Sequence, residues 1–80
     1  MTISISDVAD ILNDLLQDSG KDAITLNWNE FKKINNRERI KDGFKEELGL
    51  KLREHGLLIG YGAAVVLVAK DYKFAPVKLV

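Results

Sequence analysis

Eighty residues, twelve Lys/Arg against twelve Asp/Glu, 46% hydrophobic residues and no cysteine describe one globular domain of zero formal net charge. A chain this apolar can repay the ordering of its backbone, which excludes a disordered tail, and the missing thiols exclude disulfides, thiolate zinc sites and cysteine nucleophiles. The longest apolar run, 63–69, is far short of the ~20 residues that span a bilayer; with no basic-then-apolar leader and no disulfides, a cytoplasmic protein that does not enter a membrane is expected.

The first helix is predicted over 7–19. Val8, Ile11, Leu12, Leu15 and Leu16 form one stripe at helical period. Ser6 is placed to cap the first turn, and Asp7 and Asp10 suit the positive end of the dipole. Gly20 can take the left-handed conformation that closes the helix. Ala23–Leu26 reads as a short strand. A second, short helix follows at 28–34, with Asn27 and Glu30 at capping-box spacing, Leu26 and Phe31 at the positions of a hydrophobic staple, and Trp28, Phe31 and Ile34 on the buried edge.

Asn35-Asn36 is a turn. Asn35 and Glu38 repeat the cap-like spacing and open a third helix at roughly 36–55, with Ile40, Phe44, Leu48 and Leu52 recurring every four residues. Gly43 and Gly49 each weaken that helix by roughly 1 kcal/mol relative to Ala. The alternative is a helix that stops at Gly49, with Leu50–Arg53 forming a strand. Leu57–Tyr61 and Ala64–Ala69 then read as two strands of a hairpin, and Gly62-Ala63 between them suits a two-residue type II′ turn. The domain is expected to span 1–80, with a core over about 6–70. Its tail, 71–80, carries an apolar end (Phe74, Pro76, Val77, Leu79, Val80) that folds back as an edge strand or buries against a second copy in a homodimer.

Helix, short strand, short helix, turn, longer helix and hairpin is an α+β order that resembles the winged helix-turn-helix superfamily. The segment Leu52-Arg53-Glu54-His55-Gly56-Leu57-Leu58-Ile59-Gly60 is similar to that family's junction between recognition helix and wing. The resemblance covers about residues 6–70. It implies a recognition helix in the major groove of double-stranded DNA, with base contacts from its N-terminal part. Carried onto this chain, those contacts fall on Asn35, Asn36, Arg37, Arg39, Lys41 and Lys45, with Lys32 and Lys33 adding phosphate contacts. Asn can pair bidentately with adenine and Arg with guanine, and Lys suits phosphate. Tyr61, near the expected hairpin tip, is the aromatic expected to be exposed and able to stack on a partner.

Charge is divided unevenly. Residues 1–31 carry six carboxylates against Lys21, whereas 32–80 carry eleven cations against six carboxylates. That division suits a polyanion partner for the basic part, or mutual attraction of the two halves. Against a nucleic-acid role, Glu38, Asp42 and Glu46 form an acidic row beside Arg37, Lys41 and Lys45, as a solvated helix face would, and the expected wing tip is uncharged. Two functions follow. One is a small DNA-binding protein, a transcriptional or mobile-element regulator. The other is a protein-interaction module, an adaptor or inhibitor on a winged-helix-like scaffold. No enzyme is expected. His55, the only histidine, has no identifiable nucleophile constellation and reads as structural. The Asp7, Asp10, Asp14 and Asp18 row lacks the loop spacing of a calcium site, and the glycines at 56, 60 and 62 precede no helix that would cradle a phosphate. No cofactor or metal is called for.

Overall fold

The computed structural model describes residues 4–73. Three helices and a three-stranded antiparallel sheet follow one another as α1 (Ile5–Ser19), β1 (Ala23–Asn27), α2 (Trp28–Asn35), α3 (Asp42–Glu54), β2 (Leu57–Tyr61) and β3 (Val65–Lys70), with a 3-10 turn at Asp71–Lys73. The fold is α+β. The apolar tail expected to pack or dimerise lies, from Phe74 on, outside the described residues.

Helix α1 begins two residues earlier than expected. Ser4, not Ser6, caps it, its hydroxyl accepting the Asp7 N–H at 3.1 Å. The earlier start adds Ile5 to the core-facing side. Gly20 closes the helix at φ 69, as its sequence position suggests. The buried face of α1 is Val8, Ala9, Leu12 and Leu16. Ile11 and Leu15, read as part of the stripe, sit at its margin, 38% and 39% exposed.

Helix α2 forms as expected, with the Asn27 side chain accepting the Glu30 N–H at 2.8 Å. The expected long third helix does not begin at residue 36. Asn36 takes the left-handed conformation (φ 54) and ends α2. The Arg37 N–H returns to the Lys32 carbonyl at 3.0 Å and the Asn36 N–H to the Lys33 carbonyl at 3.1 Å. This six-to-one and five-to-two pair is a Schellman closure. The chain then runs irregularly through Ile40, and α3 starts at Asp42 with Lys41 at its N-cap and no side-chain cap bond. From there the helix is continuous through Gly49 to Glu54, so the alternative of a strand at Leu50–Arg53 is overturned. Phe44, Leu48 and Leu52 are buried, and Ile40 packs against the core from the loop.

Strand β3 is central, in the order β1-β3-β2. Val66 and Val68 point at the helices and are fully buried, while Val65 and Leu67 face outward at 41% and 37% exposure. Ile24 and Leu26 of β1 and Leu57 and Ile59 of β2 line the same inner face. The connection between β2 and β3 differs from the expectation by one residue. Tyr61 pairs with Val66, and Gly62 donates its N–H to the Val65 carbonyl at 2.8 Å, so the bend falls at Ala63-Ala64. Gly62 has no positive φ, which rules out a type II′ turn. Its carbonyl is engaged by a different element: the Trp28 indole donates to it at 2.9 Å.

All three helices lie on the inner face of the sheet, α1 against α3, α3 against β2 and α2 against β1. Leu12, Leu16, Leu48 and Leu52 have no exposed surface, and each such side chain contributes roughly 1.5–3 kcal/mol by leaving water. Among the described residues no helix is long and apolar enough to cross a membrane.

Candidate functional site

The residues expected to meet DNA do not share one helix. Lys32 and Lys33 end α2, Arg37, Arg39 and Lys41 belong to the irregular segment, and Lys45 alone sits on α3. Asn35 is withdrawn from any surface. It is fully buried, its amide donating to the Phe31 carbonyl at 2.6 Å, one turn back along α2. It can contact no base. Lys33, Asn36, Arg39 and Lys41 are exposed. From Lys32 to Lys41 five cations stand against the single carboxylate Glu38, which makes the α2–α3 corner locally basic.

Two of the expected DNA contacts, Arg37 and Lys45, are turned onto aromatic rings of the protein itself. The Arg37 guanidinium lies 4.5 Å from the centroid of Phe44, with its Nε buried and unpartnered. The Lys45 ammonium stands 5.1 Å from the Tyr61 ring and 5.7 Å from the Trp28 ring. Such cation–π contacts contribute about 0.5–2 kcal/mol, more as water is excluded.

Tyr61 is not the exposed aromatic that its position near a turn suggested; it is half-buried. Its ring stacks on Trp28 at 5.9 Å and meets Phe31 edge-on at 6.0 Å. Its hydroxyl is buried without a hydrogen-bond partner, and burial pushes its pKa up to about 12. The exposed tyrosine is Tyr72, in the 3-10 turn. Trp28, placed by α2, ties this cluster to the β2–β3 connection through the Gly62 carbonyl.

A concavity lies beside that cluster, between α3 and β2. It encloses about 650 Å³. Lys45, Glu46, Gly49, Leu50 and Arg53 form its helical wall, Leu57, Leu58, Ile59 and Tyr61 its strand wall, and Asp71 its lower rim. Leu50 is 59% exposed, the most exposed large aliphatic side chain of the described residues. Gly49 has an ordinary helical backbone, and a Cβ built on it meets nothing within 4 Å. Among the described residues nothing requires a glycine there, although the residue costs a helix interior roughly 1 kcal/mol relative to Ala.

Taken whole, α3 is not a basic helix. Asp42, Glu46, Glu47 and Glu54 outnumber Lys45, Lys51 and Arg53. Lys45 lies 4.0 Å from Asp42 and Lys51 3.8 Å from Glu54, so signs alternate along its surface. The C-terminal end of α3 is tied to α1, where His55 Nε2 and Asp10 Oδ1 are 3.1 Å apart. Sequence reasoning missed this pair, because nothing local connects residues 45 apart. It also read Gly49 only as a weak point and Leu50 only as a possible strand residue. The one local signal was a glycine in the middle of an otherwise regular helix. No family model, curated protein or solved structure matches the chain.

Proposed function

We propose that the chain is a small protein-interaction module on a winged-helix-like scaffold, an adaptor or inhibitor that binds a protein partner in the groove between α3 and β2. The winged-helix reading is supported by the element order and by a sheet in which β3 lies between β1 and β2. The observation that carries the protein reading is the surface of α3. In a DNA-binding winged helix this surface faces phosphates, and cations supply most of the affinity. Here it carries four carboxylates, an exposed Leu50 and Gly49 beside an apolar strand wall. An apolar cleft rimmed by a few charges of both signs is the usual character of a protein-binding site.

A photo-crosslinking residue placed at Leu50 in cells, with one at Lys33 as control, tests this. A discrete protein adduct from position 50, absent from position 33 and lost when Gly49→Leu fills the groove, is the expected result. Adducts only to nucleic acid, or equal adducts from both positions, reject it.

The second reading, a DNA-binding regulator, is favoured by one observation, the basic corner of Lys32, Lys33, Arg37, Arg39 and Lys41. It would act through phosphates from that corner, since Asn35 is buried. Titration of a DNA duplex across salt concentrations separates the two readings. Phosphate contact lowers log K linearly with log salt, by roughly 0.9 per phosphate neutralised.

A further inference from the structure

We propose that the occupant of the α3–β2 groove is an extended peptide segment that pairs with the open edge of β2 as a fourth strand. This rests on the groove being the interaction surface and goes further by naming the backbone form of the partner.

The direction of the β2 main chain is fixed by its pairing with β3. Gly62 donates to Val65 at one end of the ladder, and Asp71 donates to the Gly56 carbonyl at the other. In an antiparallel pair such bonded residues alternate with residues whose N–H and C=O point the other way. The register pairs Gly60 with Leu67 and Leu58 with Ala69, so the even positions of β2 bond to β3. Ile59 and Tyr61 therefore turn their main-chain groups away from β3. Among the described residues no strand lies beyond them in the sheet, and both residues line the groove.

Natural sheet edges are guarded by Lys, Pro, a bulge or a covering element. Leu57-Leu58-Ile59-Gly60-Tyr61 carries no charge and no proline, and among the described residues no strand or helix covers its edge along the groove. Across the groove Gly49 leaves open the space that a Cβ would take. A strand laid along β2 brings its own main chain and side chains against α3, and a residue without a side chain permits that approach. Among the described residues, an uncovered edge and a helical glycine that no contact requires thus face each other over one cleft.

Charge complementarity sets the rest. The groove carries Lys45 and Arg53 against Glu46 and Asp71, which cancel. A segment of little net charge, with an apolar residue placed to cover Leu50, matches it. Among the described residues strand β1 also has an open edge. The depression beside it is smaller, about 270 Å³, and no glycine lines it.

The test uses a random library of linear peptides about nine residues long, the length of a strand and its flanks, selected on the whole protein. The affinity of the best peptide is measured by calorimetry and its position by amide chemical shifts. It is then resynthesised with N-methyl groups at odd or at even positions. Strand pairing predicts that one N-methyl set loses at least tenfold in affinity while the other binds as before. It also predicts that Gly49→Ala raises the melting temperature yet weakens binding several-fold. If both N-methyl sets bind equally and the shifts still map to α3 and β2, strand pairing is overturned and the groove stands. If the shifts fall on β1 or elsewhere, or Gly49→Ala and Gly49→Leu leave affinity unchanged, both fail. A library that yields no binder overturns the strand proposal, leaving the groove to the crosslinking test.

Discussion

Tyr61 shows how one side chain can serve packing at some cost. Its ring completes the cluster with Trp28 and Phe31, while its hydroxyl is buried without a partner. A buried unsatisfied hydroxyl costs about 1–3 kcal/mol. Tyr61→Phe keeps the ring and removes the group, so at neutral pH it is expected to stabilise the fold by about 1 kcal/mol in urea unfolding. The same burial raises the phenol from its ordinary 10.0 to about 12. The folded state thus holds this proton more tightly than the unfolded state does. Its contribution to stability is complete below pH 10 and is lost as pH rises from 10 to about 12. Absorbance at 295 nm and circular dichroism followed together through that window should show Tyr61 ionising near 12. Unfolding on the alkaline side should be less steep in Tyr61→Phe. Ionisation of Tyr61 near 10 in the folded protein would contradict its burial.

At the scale of elements, the two ends of the irregular 36–41 segment are set by backbone conformation. Asn36 occupies the left-handed region at φ 54, where most L-residues pay roughly 1–2 kcal/mol and Asn and Gly pay least. Asn36→Ala is expected to be about 1 kcal/mol less stable than Asn36→Gly; equal stability of the two would mean the α2 closure is not what limits the segment. Gly49 is the opposite case, since its Cβ would meet open space. Gly49→Ala should stabilise the protein by about 1 kcal/mol in the absence of any partner, and a loss of stability would show that the α3 backbone is not regular there. These two positions also explain what the sequence revealed. The stripe of α1, the Gly20 closure, the Asn27 cap and the four-residue recurrence Phe44, Leu48, Leu52 were legible because each is local, set within one or two turns. The start of α3 was not, because Asn35 and Glu38 have the spacing of a helix opening while Asn36 can equally close the previous helix. Only the Schellman bonds back to Lys32 and Lys33 decide between them. The β2–β3 bend is displaced by one residue, and the Gly62 carbonyl meets Trp28, more than thirty residues earlier, a contact that no local pattern announces. The groove was illegible because its two walls come from α3 and β2 and acquire meaning only when packed together.

On the scale of the whole molecule, the charge division seen in the sequence survives folding in a changed form. The acidic half places Asp7, Asp10, Asp14 and Asp18 along exposed positions of α1, and Asp10 reaches across to His55. The cations of the other half do not gather into one face. Of those described, five lie at the α2–α3 corner, which is basic, three on α3, where carboxylates prevail, and Lys70 and Lys73 at the end of β3 and in the 3-10 turn. A duplex laid against α3 would bring phosphates onto Asp42, Glu46, Glu47 and Glu54, and like charges at such a contact are costly. A duplex confined to the corner meets five cations, two of which, Lys32 and Arg37, are only partly exposed. Affinity for DNA at physiological salt is therefore expected to be no stronger than the non-specific range of roughly 10⁻⁴–10⁻⁶ M. Removing the corner by Arg37→Ala, Arg39→Ala and Lys41→Ala together should abolish that residual binding without touching the groove. Fluorescence anisotropy with a labelled duplex between low and physiological salt measures both. Binding much tighter than micromolar at physiological salt, with a preference for one sequence, would assign the surface to DNA and displace the protein reading. Weak binding that vanishes with salt, alongside an adduct at Leu50, leaves the groove as the site where this protein meets its partner.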